Sequence, residues 1–175
     1  NGSSHTWLVA LSYYPSDPDA WSESLTPPEG FWSSWALGQL PELDWINKIE
    51  GQRSLKLSTP ATYEENGLVF TMFQPFDCRY WEKLVFYHAL VKDQNHSGIC
   101  YLGLVDVNGL EAYRMFGTAP SGNWELKELP VGVKSSGWDM IDRGFDWSQI
   151  SKVIILWSFK DLGTWRGSND AWIDW

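Results

Sequence analysis

The run Ile99-Cys100-Tyr101-Leu102-Gly103-Leu104-Val105-Asp106-Val107-Asn108-Gly109-Leu110-Glu111-Ala112-Tyr113-Arg114-Met115-Phe116-Gly117 holds two alternating segments around a central Asn108-Gly109. Asn-Gly at the two central positions of a tight loop predicts a type I′ hairpin, because both residues tolerate positive φ. A two-residue loop there sets Val107 opposite Leu110, Leu104 opposite Tyr113, Gly103 opposite Arg114, Leu102 opposite Met115 and Tyr101 opposite Phe116. Alternation then gathers Leu102, Leu104, Tyr113 and Met115 on a core face. It gathers Tyr101, Gly103, Val105, Ala112, Arg114 and Phe116 on the other. That second face mixes aromatic rings, a guanidinium and very small residues, as a sheet would if something flat and hydroxylated lay on it. A second packed face with a snorkelling arginine fits the same residues.

Working outward, the chain of 175 residues is long enough for a real core, and we expect one domain over residues 1–175. A net charge of -9 argues against nucleic acid or an anionic membrane as partner, since both need a basic footprint. No apolar run is long enough to span a bilayer, nothing at the N-terminus reads as a signal peptide, and both ends look like excised boundaries. The 13 Trp, 7 Tyr and 8 Phe are many for this length, so some of these rings must meet a ligand, a partner or an aromatic-rich core. Cys78 and Cys100 could pair across neighbouring strands, but Cys100 falls on the core face of the hairpin, which favours a buried thiol. Asn1-Gly2-Ser3 and Asn95-His96-Ser97 fit the N-glycosylation pattern, which matters only on a eukaryotic secretory route.

Short strands are expected at about 6–11, 31–37, 44–49, 53–58, 67–73, 83–91, 99–106, 110–117, 123–129, 152–159 and 170–175, with a Pro- and Ser-rich loop before Gly30. At most one helical turn is expected, around Asp146 to Ile150. Many short strands with turn chemistry between them indicate a sandwich or barrel. Lys83 to Val91 is apolar on both faces and so reads as a central strand. Its Val85, Tyr87, Ala89 and Val91 repeat the aromatic-plus-small pattern and are assigned to the face of Tyr101 and Gly103. In Val153 to Ser158, Trp157 is the one residue able to stack on a ligand.

Six motifs in order resemble those of β-jelly-roll carbohydrate-binding modules appended to glycoside hydrolases. Gly51-Gln52-Arg53-Ser54-Leu55-Lys56-Leu57 is similar to their Gly-x-x-Ser-Leu-x-Leu strand, and the run from Asp77 to Tyr87 to their Asp-led turn entering a hydrophobic strand. Leu104 to Gly109 resembles their Leu-x-Asp-x-x-Gly hairpin, and Asn123 to Pro130 their Trp-led strand closed by Pro. Phe145 to Val153 resembles the turn before their penultimate strand, and Trp172-Ile173-Asp174-Trp175 their closing strand. The resemblance covers about Gly51 to Trp175. It implies a jelly-roll β-sandwich of two antiparallel sheets, a non-catalytic module that binds a plant or microbial polysaccharide, secreted and joined to a catalytic domain. It also implies a structural calcium held by Asp174 and Glu50. Calcium takes six to eight oxygens, so plain solvated carboxylates at strand ends remain open for both.

Sugar rings stack their C–H faces on aromatic rings, while their hydroxyls seek charged or amide partners. Tyr87, Tyr101, Phe116 and Trp157 are the candidate stacking residues, with Gly103 as the floor and Arg114 as the hydroxyl donor. Trp81, Trp138 and Trp165, in turn-like contexts, are candidate rim residues. Core or edge packing is open for each. A sandwich-type glycoside hydrolase or lyase is the alternative. Glu42-Leu43-Asp44-Trp45-Ile46-Asn47 looks like the Glu-x-Asp-x-x-Glu strand of laminarinase-type glycosidases, but Asn47 stands where an acid is needed. His5, His88 and His96 have no zinc-site spacing, and no serine-nucleophile or phosphate-loop motif occurs. A protein-interaction domain using the same aromatic face is the third reading.

Overall fold

The computed structural model describes residues 6–8, 30–35, 41–49, 54–59, 65–79, 83–91, 99–117, 123–133, 136–158 and 169–174. For 6–8, 58–59, 65–66, 90–91, 99, 157–158 and 169–174 it describes the backbone alone. The strands are β1 (Thr6–Leu8), β2 (Gly30–Ser34), β3 (Glu42–Asp44), β4 (Ser54–Thr59), β5 (Glu65–Phe76), β6 (Lys83–Val91), β7 (Ile99–Asp106), β8 (Glu111–Gly117), β9 (Trp124–Pro130), β10 (Met140–Ile141), β11 (Ile150–Ser158) and β12 (Asn169–Asp174). No helix occurs among the described residues. The helical turn expected near Asp146 is a turn, in which Asp146 Oδ1 accepts the Ser148 amide at 2.9 Å and the Asp146 carbonyl accepts the Gln149 amide at 3.1 Å.

Among the described residues the strands form two six-stranded sheets, which make the β-sandwich. The first runs β1-β6-β12-β4-β3, with β9 also on β6; the second runs β10-β8-β7-β11-β5-β2. Among the described residues every pairing is antiparallel except β1 with β6, which is parallel over Thr6–Leu8. β6, apolar on both faces, is central as its composition suggested, with β9, β12 and β1 as neighbours.

The core lies between the sheets. The first sheet contributes Leu55, Leu57, Leu84, Phe86 and Leu129; the second contributes Trp32, Leu68, Phe70, Leu102, Leu104, Val153 and Ile155. Trp32 meets Phe70 with ring centroids 5.2 Å apart. Burying each such side chain is worth about 1.5–3 kcal/mol. Cys78 and Cys100 are free, buried thiols, and Cys100 Sγ lies 3.6 Å from Nε2 of the buried His88.

The β7–β8 register differs from the expected one by a single residue. Tyr101 pairs with Met115, Leu102 with Arg114, Gly103 with Tyr113 and Leu104 with Ala112. The loop has three residues, because the Asp106 amide donates to the Leu110 carbonyl at 2.9 Å. Within the loop only Gly109 takes positive φ, at 80°, and no non-glycine residue among the described residues does, so Asn108 is not in a type I′ turn. This is the geometry of a type I turn followed by a glycine bulge. Its cause is Asp106, 1% exposed, whose Oδ1 accepts the amides of Asn108 at 2.8 Å and Leu110 at 3.0 Å. Its Oδ2 accepts the Asp146 amide at 3.0 Å. A one-residue slip moves every side chain of the second strand to the opposite face. Ala112, Arg114 and Phe116 therefore lie on the inner side, whereas Tyr113 and Met115 lie outside.

Candidate functional site

The register of the second sheet sorts its outer face into rows that cross the strands. One row reads Ser33, Val69, Ile154, Gly103, Tyr113 across β2, β5, β11, β7 and β8. On one side of it lie Gly67, Leu156, Tyr101 and Met115, with Trp35 at the end, where its amide donates to the Gly67 carbonyl at 2.8 Å. On the other side lie Phe31, Thr71, Lys152, Val105 and Glu111.

Val69, Val105 and Ile154 pack together beneath this face, with Leu156 against them, and form a low apolar floor. Gly103 interrupts the floor where a side chain would otherwise stand. Tyr101 and Tyr113 rise beside it, edge to face, with centroids 6.1 Å apart and planes at 86°. Trp35, 48% exposed, stands across from them. The result is a trough of about 250 Å³ lined by Trp35, Tyr101, Gly103, Glu111, Tyr113, Ile154 and Leu156. It continues into a more polar end bounded by Ser33, Thr71, Lys152 and Glu111.

Two local devices position that polar end. The Glu111 backbone is fastened to the segment after β10: its amide donates to Asp142 Oδ2 at 2.9 Å, and its carbonyl accepts the Asp142 amide at 2.8 Å. On β11 a bulge falls between Ile150 and Lys152. Ser151 is the extra residue, and its hydroxyl donates to the carbonyls of Val105 at 3.2 Å and Asp106 at 2.9 Å. Bulges re-aim the residues that follow them. Strict alternation from the buried Ile150 would turn Lys152 inward; the bulge puts it on the outer face instead.

Of the residues singled out from sequence, the structure brings Tyr101 and Gly103 together in the trough. It places four others elsewhere. Phe116 is in the core, its ring edge-on to Phe86 at 5.8 Å, because of the register slip. Arg114, turned inward by the same slip, latches the β9–β10 connection: Nη1 donates to the carbonyls of Pro130 at 2.8 Å and Ser136 at 3.3 Å. Burial lowers its pKa, opposed by the charge of Asp139. Tyr87 faces outward as expected of its set, but on the first sheet, since β6 belongs there. Trp138 packs against the core with its ring 5.3 Å from that of Trp147. The β11 backbone at Trp157 pairs with Cys100 and Asn66, and its side chain lies outside the described residues. Trp81 and Trp165 lie outside them as well.

For calcium, Glu50 lies outside the described residues and Asp174 is described by its backbone alone, opposite Tyr87. Among the described residues no three His, Cys, Asp or Glu side chains gather as a metal site. In the segment similar to a glycosidase strand, Asp44 is engaged in a turn. Its Oδ1 accepts the amides of Ile46 at 2.8 Å and Asn47 at 3.0 Å, and its Oδ2 accepts Asn47 Nδ2 at 2.9 Å. That turn ends β3 after three residues, shorter than the strand expected there.

Trp35, Tyr113, Glu111 and Lys152 line the trough and are absent from the candidates that the sequence offers. Alternation in Phe31-Trp32-Ser33-Ser34-Trp35 carried a signal for the first, since Trp32 and Trp35 fall on opposite faces. The expected hairpin register hides Tyr113 and Glu111, and the apolar character of both faces of the 152–159 strand hides Lys152.

No family model matches the chain, and no curated protein matches its sequence. Solved structures do match in fold. An exo-β-agarase aligns over 81% of this chain with a TM-score of 0.58 and 19% identity. This chain covers 22% of the length of that agarase. A family 11 carbohydrate-binding module from Clostridium thermocellum, solved with a β-1,3-1,4-mixed-linked tetrasaccharide, aligns over 82% of this chain and 85% of its own, with a TM-score of 0.50 and 16% identity. A structure of carbohydrate-binding modules from the β-sandwich superfamily aligns over 82% of this chain and 52% of its own, with a TM-score of 0.50 and 12% identity. The chain thus has the β-sandwich fold of carbohydrate-binding modules.

Proposed function

We propose that this domain is a non-catalytic carbohydrate-binding module that holds a polysaccharide chain in the trough on the outer face of the second sheet. The observation that carries the reading is the grouping of Trp35, Tyr101 and Tyr113 around a floor lowered by Gly103. Aromatic faces beside a shallow apolar bed suit the C–H faces of sugar rings, and the polar end supplies hydroxyl partners. The β-1,3-1,4-mixed-linked tetrasaccharide held by the family 11 module supports the same ligand class for this fold. The part that this fold occupies in an exo-β-agarase supports a module attached to a polysaccharide-degrading catalytic domain, and such a module is proposed to be secreted with it. Asp44 is tied into its turn on β3 at the edge of the first sheet, so the segment similar to a glycosidase strand lies away from the trough, where Glu111 is the lining carboxylate.

The mechanism is binding alone. Rings stack on the sugar, water leaves the apolar floor, and hydroxyls exchange water for fixed partners. Affinity electrophoresis in gels containing agarose, mixed-linked β-glucan or β-1,4-galactan, beside a reducing-sugar assay, tests it. Retardation by at least one glycan is expected, without release of reducing ends. Loss of one stacking ring in Tyr101→Ala should weaken that binding about tenfold. Release of reducing ends, or a Tyr101→Ala variant retarded like the wild type, would overturn the reading.

A further inference from the structure

At the polar end of the trough, Lys152 and Glu111 occupy one cross-strand row, separated only by Val105. Two strand spacings put their backbones about 10 Å apart. Neither the ammonium nor the carboxylate has a hydrogen-bond or ion-pair partner among the described residues, although both line the same trough end. Opposite charges so placed on one face, each fixed by its own backbone device, form a donor and an acceptor with room between them. Ser33 and Thr71 add hydroxyls on the same side. The bulge at Ser151 gives Lys152 this position, and the Asp142 contacts hold Glu111 in its own.

Resting on the carbohydrate-binding reading, we propose that Glu111 and Lys152 form a subsite for an uncharged sugar unit, and that they set the module's choice of neutral over anionic polysaccharide. A sugar unit lying over Val105 donates a hydroxyl proton to the Glu111 carboxylate and accepts from the Lys152 ammonium with another oxygen. Hydrogen bonds to ionised partners are the stronger kind. A polyuronate or sulfated glycan brings a line of negative charge past Glu111 on a chain whose net charge is already -9. One lysine offsets one such charge, while every further acid group meets repulsion. A neutral chain meets none and uses both partners.

The test compares Lys152→Met and Glu111→Lys with the wild type, each first shown to unfold at the wild-type temperature. Titrations use the mixed-linked β-1,3-1,4-tetrasaccharide, β-1,4-galactotriose and agarose oligosaccharides as neutral probes, and polygalacturonate as the anionic one. Wild type should bind at least one neutral probe and not polygalacturonate. Each variant should lose about tenfold for the bound neutral probe. Glu111→Lys should also gain retention by polygalacturonate, weakening as salt is raised. If Tyr101→Ala abolishes neutral binding while Lys152→Met and Glu111→Lys bind as the wild type does, the subsite is overturned and the trough stands. Wild-type binding of polygalacturonate equal to that of the neutral probes overturns the proposed selectivity. If no neutral probe binds, or Tyr101→Ala changes nothing, the carbohydrate-binding reading falls, and the subsite with it.

Discussion

The Leu110 amide donates to Asp106 Oδ1 at 3.0 Å while the Asp106 amide donates to the Leu110 carbonyl at 2.9 Å, so one residue closes the β7–β8 hairpin from both its backbone and its side chain. The pair sets the loop at three residues and thereby decides which side of β8 faces the trough.

Asp106→Ala is accordingly expected to be costly. It removes one buried carboxylate that serves the amides of Asn108, Leu110 and Asp146 and leaves those donors short of partners. Hydrogen bonds to charged groups are worth roughly 1.5–3 kcal/mol each, and part of the loss is recovered by water, so a destabilisation of about 3 kcal/mol is expected. Denaturant unfolding measures it. A change below about 1 kcal/mol would show that the carboxylate does not hold the turn.

What the sequence disclosed and what it concealed follow from the same physics. Alternation and turn chemistry were enough for an all-β sandwich, and Leu102, Leu104, Leu84 and Phe86 are in the core where periodicity put them. Tyr101 and Gly103 are on the outer face for the same reason. Periodicity, however, separates two faces of a strand without saying which sheet holds it, so it does not tell the face of Tyr87 from the outer face of the other sheet. Asn108-Gly109 matched the commonest two-residue hairpin. A carboxylate two residues earlier stabilised a different loop, and Arg114 and Phe116 moved inward together. Alternation from residue 152 puts Lys152 on the face of Ile154 and Leu156, but the unbroken apolar run from Val153 to Trp157 does not say which face of β11 is outer.

Arg114 should matter for stability and not for ligand affinity. Its guanidinium bridges β8 to the carbonyls of Pro130 and Ser136, away from the trough. Arg114→Met keeps most of the stem's packing and removes those donors, so a loss of about 1–2 kcal/mol is expected. Calorimetric titration with a bound neutral glycan should give an affinity within about twofold of wild type, well under the tenfold that 1.4 kcal/mol represents. A tenfold loss at unchanged stability would return Arg114 to the binding site.

The thiols should be silent in the folded protein. Burial, aided by the nearby Asp77 charge, pushes the Cys78 pKa up to about 12, and Cys100 is fully buried beside His88. The thiolate is the reactive form. A disulfide-exchange reagent at pH 8 should therefore leave the native protein unmodified and titrate both Cys78 and Cys100 after denaturation, and reductant should not move the unfolding midpoint. Failure to find free thiols in the denatured protein would mean that the two are bonded.

Gly103 offers the sharpest geometric test of the trough. A Cβ built there meets only Ile154, at 3.4 Å, an ordinary contact, and φ at this position is not positive. Gly67, in the neighbouring row, is different: its Cβ would sit 2.6 Å from the Ile155 carbonyl oxygen. Gly103→Leu should therefore fold with a midpoint close to wild type, whereas Gly67→Ala should be destabilised by a backbone clash. In the Gly103→Leu protein the side chain stands on the floor beside Tyr101 and Tyr113, where a sugar ring would lie. Neutral glycan affinity should fall more than tenfold, since a filled bed costs the stacking contacts as well as space, at about 0.5–1.5 kcal/mol for each ring. Gly103→Ala, adding one methyl, should fall between the two. A folded Gly103→Leu variant with wild-type affinity would move the ligand off this face of the sheet.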